Sequence, residues 1–164
     1  MIFVTVGTQK FPFNRLFKEL DILIDDGIIT EEVYAQIGYS TYQPKNYTAI
    51  KLLDESSMIN KIKESSIVIT HAGTSSIIKS LKLDKKVIVV PREMTYGEHV
   101  DNHQLEITQS FADRNLIDPV YNILELKEKL LSVHHKVFSK YKFDNIRLLN
   151  SIRNDIDSFQ KKSN

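Results

Sequence analysis

Ile67-Val68-Ile69-Thr70-His71-Ala72-Gly73-Thr74-Ser75-Ser76-Ile77-Ile78-Lys79-Ser80-Leu81 is a short apolar run, a glycine-bearing polar turn and an amphipathic stripe in immediate succession. Four β-branched or near-continuous apolar residues bounded by turn residues read as a buried strand. Ile77, Ile78 and Leu81 then repeat at helical spacing. A strand that turns directly into a helix is the unit of a parallel sheet, because parallel neighbours need a crossover connection. The pattern recurs outward. Ile2 to Val6 and Val87 to Val90 are two further buried strands, and Val33 to Ile37 and Thr48 to Leu52 are two less apolar ones. Leu16, Phe17, Leu20, Leu23 and Ile24 make a helical stripe that stops at Asp25-Asp26-Gly27. Leu126, Leu130, Val133 and Val137 make another, and Leu149, Ile152, Ile156 and Phe159 a last one, which is also a candidate docking helix. The expected fold is α/β, a Rossmann-like parallel sheet with helices on both faces. One domain is expected over residues 1–159, with its core in about 1–120, C-terminal helices in 122–159, and an unstructured polar tail at 160–164.

Composition narrows the function classes. A net charge of +1 gives no electrostatic reason to expect a nucleic-acid partner. The chain has no cysteine, which excludes disulfides, thiolate catalysis and cysteine-ligated zinc and fits a cytoplasmic setting. It opens on Ile2-Phe3-Val4-Thr5-Val6 without a basic leader, and no run approaches the roughly 20 apolar residues of a membrane span.

Ligands of such sheets bind where strands end and helices begin. Val6-Gly7-Thr8-Gln9 and His71 to Ser76 are two junctions of that kind. A glycine admits a ligand close to the backbone, Thr74, Ser75 or Ser76 can cap the helix, and the helix N-terminus favours a phosphate. The alternative is that Gly7 and Gly73 serve only tight turns. Tyr96-Gly97-Glu98-His99-Val100-Asp101-Asn102-His103-Gln104 follows the strand Val87 to Val90 and is dense in groups that donate to and accept from sugar hydroxyls. His99 and His103 stand one helical turn apart, but Val100 occupies the place of a zinc-protease glutamate, so no metal is expected. Arg92, just past a strand end, is a candidate phosphate contact. Asp155-Ile156-Asp157 has metal-binding spacing but reads as a solvated pair on a helix, and His134-His135 reads as surface.

Taken in order, Phe3-Val4-Thr5-Val6-Gly7-Thr8, Thr70-His71-Ala72-Gly73-Thr74 and Asn102-His103-Gln104-Leu105-Glu106 resemble the family 28 glycosyltransferases. The resemblance covers about residues 1–120 and is to the C-terminal, donor-binding half of a GT-B enzyme. It is nearest to the small catalytic subunits of two-part transferases, such as the dolichol-linked N-acetylglucosaminyl transferase subunit and bacterial relatives in capsule or exopolysaccharide synthesis. It implies a UDP-sugar donor and an inverting hexosyltransferase that needs neither metal nor other cofactor. It also implies a membrane-anchored, acceptor-binding partner subunit, a lipid-linked saccharide acceptor, and a location at the inner membrane face through that partner. The implied donor site comprises Gly7, Thr8, His71, Gly73, Thr74, Ser75, His99, Asn102, His103 and Gln104, with Leu53 bordering the uracil. Lys79 stands where many members carry a ribose-binding glutamate. No general base is evident, His71 being the one candidate for a catalytic role. Two other readings stay open: a non-catalytic nucleotide-sugar-binding module that enhances a partner transferase, and an unrelated flavodoxin-like domain.

Overall fold

A computed structural model describes residues 1–142. Its elements alternate: β1 (Ile2–Thr5), α1 (Asn14–Asp25), β2 (Val33–Gln36), β3 (Thr48–Ile50), α2 (Glu55–Glu64), β4 (Ile67–Thr70), α3 (Thr74–Lys82), β5 (Lys86–Val89), α4 (His103–Asp113), β6 (Asp118–Pro119) and α5 (Leu126–Ser132). Short 3-10 turns at Met94–Tyr96 and Ile123–Glu125 interrupt the longer connections. The six strands form one parallel sheet in the order β3-β2-β1-β4-β5-β6.

Strand alternation sorts the core. Ile2 and Val4 of β1, Ile67 and Ile69 of β4, and Ile88 of β5 point to one face, where Leu16, Phe17, Leu20 and Leu23 of α1 and Leu126 and Leu130 of α5 cover them. On the other face Phe3 and Val68 meet Ile62 of α2, while Val87 and Val89 meet Ile77 and Leu81 of α3. Burial on both sides explains why β1 and β4 are apolar up to the threonines that end them. Chain order reverses direction between β1 and β4: β1 leads outward to β2, β4 outward to β5. Connections therefore leave the carboxyl ends of β1 and β4 in opposite directions, opening a crevice between them.

Several expectations change. The stripe from Leu126 stops early: α5 ends at Ser132, Val133 is buried, and Val137 is 88% exposed. The core also runs past residue 120, since Leu126, Leu130 and Val133 pack beneath β1 and β4. Helix α2 and strand β6 were not expected. The polar start of α2 is organised by Asp54, whose carboxylate accepts the Ser57 N–H at 2.8 Å. His99 and His103 do not share a helical turn, because α4 begins at His103. His134 and His135 are exposed. The Leu149–Phe159 stripe, the Asp155-Ile156-Asp157 pair and the tail 160–164 lie outside the described residues. Among the described residues, no helix is long and apolar enough to cross a membrane.

Candidate functional site

The crevice is built on β1 and β4, whose carboxyl ends are tied together. Thr70 Oγ1 donates to the Thr5 carbonyl at 2.9 Å, and the His71 N–H reaches the same oxygen at 3.4 Å. His71, only 6% exposed, lays its imidazole between the two glycine turns. A Cβ at Gly7 would come within 2.8 Å of His71 Cε1, and one at Gly73 would press on His71 Nε2 and, at 2.5 Å, on Cε1. Gly7 also needs its glycine for conformation, having φ +70°. Both glycines thus make room for His71 before they make room for any ligand. Burial, reinforced by the Arg92 charge, pushes the His71 imidazole down to about 4, so at neutral pH it is uncharged.

Gly73 is the N-cap of α3, and no side chain caps the helix. The expectation that Thr74, Ser75 or Ser76 would do so fails, because all three already belong to the first turn. The first helical bond runs from the Ile77 N–H to the Gly73 carbonyl. The N–H groups of Thr74, Ser75 and Ser76 therefore have no intrahelical acceptor. Thr74 and Ser75 are exposed, as is Thr8 beside Gly7. Three unpaired donors and a helix N-terminus beside a crevice can receive an anion.

Gln36, missed in the sequence, connects the crevice to the next strands. Its Nε2 donates to the Gly7 carbonyl at 3.2 Å and its Oε1 accepts the Leu53 N–H at 3.3 Å. Leu53 lies against Phe3, Ile62 and Val68, on the α2 face of the sheet. A polar side chain closing an otherwise buried strand at its carboxyl edge was the available signal. Beyond it, a cleft of about 560 Å³ lies between the ends of β2 and β3, adjoining the crevice at Gly38.

On the other side stands the long connection from β5 to α4. Arg92 is not a phosphate contact. Its guanidinium is fully buried and donates to the carbonyls of Val6, Phe11, Pro12 and Glu98. Arg15 holds the Glu98 carboxylate through Nε at 2.9 Å and Nη2 at 3.1 Å. Gln104, 5% exposed, accepts the Arg92 N–H on Oε1 at 3.0 Å. One of its two acceptor positions is therefore occupied, while Nε2 has no partner. His99 rests on Phe11 from the β1 connection, with Nδ1 2.8 Å from the Asp101 carboxylate. Asn102 accepts the Met94 N–H, and His103, exposed, lies 3.2 Å from Glu106. None of these three bonds to the glycine turns. Lys79, on α3, pairs with Glu55 of α2 at 2.7 Å. Among the described residues, no group of three or more acidic, histidine or cysteine side chains is placed to hold a metal ion.

The arrangement has known counterparts. The family model described as the glycosyltransferase family 28 C-terminal domain matches residues 1–149. Over 74 residues the chain is 45% identical to the UDP-N-acetylglucosamine transferase subunit ALG13 of Candida albicans, a match covering 44% of this chain and 24% of that one. It is 30% identical over 114 residues to the mouse protein of the same name, covering 65% of this chain and 9% of that one. The chain thus spans at most about a quarter of these two relatives. Among solved structures, the glycotransferase of kitacinnamycin superposes with a TM-score of 0.62 at 11% identity, over 82% of this chain and 35% of that one. Acinetobacter baumannii MurG superposes with a TM-score of 0.55 at 14% identity, over 81% and 41%. The fold is the Rossmann-like α/β arrangement of one half of a GT-B glycosyltransferase.

Proposed function

The chain belongs to the glycosyltransferase family 28 C-terminal domain family, and from that premise we propose that it is the donor-binding part of a two-part glycosyltransferase. The donor is a UDP-sugar, and the names of the relatives favour UDP-N-acetylglucosamine. The observation that carries the reading is the uncapped N-terminus of α3, with three unpaired N–H groups beside the crevice at the chain reversal. That is the chemistry a pyrophosphate needs. Gly7, Thr8, Gly73, Thr74 and Ser75 would surround the diphosphate, Leu53 would border the uracil, and Gln104 Nε2 would donate to a sugar hydroxyl.

The transfer is an inverting displacement. The acceptor hydroxyl bonds to the anomeric carbon as the bond to the UDP oxygen breaks, and negative charge grows on the leaving diphosphate. Donors fixed in advance at the α3 N-terminus stabilise that charge without rearrangement. The acceptor must also lose a proton. His71 is poorly suited to take it, since a conjugate acid at about 4 makes a weak base at neutral pH. The relatives are named as transferase subunits, which supports a partner, here membrane-anchored, that supplies the base and the acceptor site. A lipid-linked saccharide of capsule or exopolysaccharide synthesis is then the acceptor, at the cytoplasmic membrane face.

Calorimetric titration with UDP and a panel of UDP-sugars, together with transfer assays with and without the partner, tests this. The expected result is UDP binding by the chain alone and transfer only by the pair. Failure to bind UDP would remove the donor site, and efficient transfer by the purified chain would remove the two-part reading.

A further inference from the structure

Arg92 is the largest fully buried side chain among the described residues. Its Nη1 donates to the carbonyls of Phe11 at 3.0 Å, Pro12 at 3.2 Å and Glu98 at 3.2 Å, and its Nη2 to that of Val6 at 3.0 Å. The Phe13 ring lies 4.9 Å from the guanidinium carbon, and Nε has no partner. These contacts satisfy hydrogen bonds, but every acceptor is a neutral carbonyl. The neighbouring carboxylate of Glu98 bonds to Arg15 and acts on Arg92 only through space, so Arg92 shares one counter-charge with a second arginine. Burial lowers the guanidinium to about 10, which leaves it charged at neutral pH. A buried charge is ordinarily bonded directly to an opposite one, because desolvation is otherwise only partly compensated.

The charge sits directly behind the crevice. Val6, which it holds, precedes Gly7. Gly7 in turn faces His71, which also lies against Gly73, so the guanidinium stands one residue from the first glycine turn.

We propose that Arg92 supplies the standing positive charge of the donor site, a through-space counter-charge for the diphosphate that it positions but does not touch. This deepens the UDP-sugar reading and rests on it. A fixed charge in a buried position acts through a lower effective dielectric than one in water, so it aids both binding of the diphosphate and its departure as charge develops.

A ligand series separates charge from structure. Affinities for uridine, UMP and UDP would be measured at pH 7.5 in the unaltered chain and in Arg92→Met, Arg92→Lys and Glu98→Gln. In Arg92→Met, uridine should change less than about twofold, while UDP weakens on the order of tenfold and UMP by an intermediate factor. Arg92→Lys, which keeps the charge, should recover most of the UDP loss. Glu98→Gln removes a negative neighbour while its amide oxygen can still accept from Arg15, so UDP should tighten several-fold against uridine. That gain cannot come from unfolding, and Arg92→Lys carries the test of Arg92 itself if Arg92→Met does not fold. Equal losses for all three ligands, or an unchanged UDP-to-uridine ratio in Glu98→Gln, would overturn the role of Arg92 alone. An unaltered chain that binds no UDP would instead overturn the donor reading, and this inference with it.

Discussion

Helices α2 and α3 both start at the carboxyl edge of the sheet, and they complete their first turns in opposite ways. At α2 the chain supplies its own anion. Asp54 Oδ1 accepts the Ser57 N–H at 2.8 Å and the Ser56 hydroxyl at 2.7 Å, and Oδ2 accepts the Ser57 hydroxyl at 3.0 Å. Those bonds hold the Asp54 carboxyl down at about 2. At α3 the N-cap is Gly73, which has no side chain to offer, and the donors of the first turn stay open. A capped N-terminus is closed to ligands, whereas an uncapped one beside a crevice is available. The difference lies in one residue, an aspartate in one place and a glycine in the other, so it can be tested by exchange.

The largest effect is expected from giving α3 an internal anion. Thr74 is exposed and opens the helix, so Thr74→Asp places a carboxylate at the first turn without pressing on His71. The helix should be as stable as before or more so, because an acid suits that end of the dipole. UDP should weaken by about a hundredfold through like-charge repulsion and competition for the first-turn N–H groups. Calorimetry and thermal unfolding of the same sample read both, and undiminished UDP affinity would take the diphosphate away from α3.

Next is the sugar end. Gln104→Ala removes the free Nε2 donor and leaves the Arg92 N–H unpaired. Losing one polar partner costs about 1–2 kcal/mol, so UDP-N-acetylglucosamine should weaken roughly tenfold relative to UDP. The ratio matters more than either value, since loosening of Arg92 would affect both ligands. Equal losses exclude Gln104 from the sugar.

The smallest effect is at α2. Asp54→Ala should lower the melting temperature by a few degrees and leave UDP affinity unchanged. The folded-state value of Asp54 lies below the 3.8 of an ordinary aspartate. Its stabilisation is therefore complete above about pH 4 and is lost as pH falls through about 2. The melting difference between the two proteins should close over that window. A difference that persisted at pH 2 would show that the carboxylate charge is not what caps α2.

How much of this was legible depended on what each segment buries. β1, β4 and β5 bury both faces, and their unbroken apolar runs reveal them. α4 was obscure because two residues on its buried side are polar, Gln104 and Thr108, so apolar periodicity has little to register. β6 is two residues long and contains a proline. In the site, the glycine turns at Gly7 and Gly73 and the small residues of Thr74 and Ser75 were visible as composition. That Gly73 would leave α3 uncapped was not, since the three hydroxyl residues after it suggested a cap. Gln36 and Arg92 carried no signal of their roles, because each acts on backbone carbonyls or N–H groups far away in the chain.

Local patterning by itself determined the alternation of strands and helices, the parallel sheet and the two junctions where a ligand could lie. These follow from side-chain period and turn chemistry, which act between residues a few positions apart. Tertiary structure alone decided that His71 would occupy the gap between Gly7 and Gly73, that Arg92 would be spent on four carbonyls, and that the Gln104 amide oxygen would accept from the Arg92 backbone. Those outcomes depend on which groups meet once β1, β4 and β5 lie side by side. A buried donor or acceptor must take whatever partner the packed chain brings within reach.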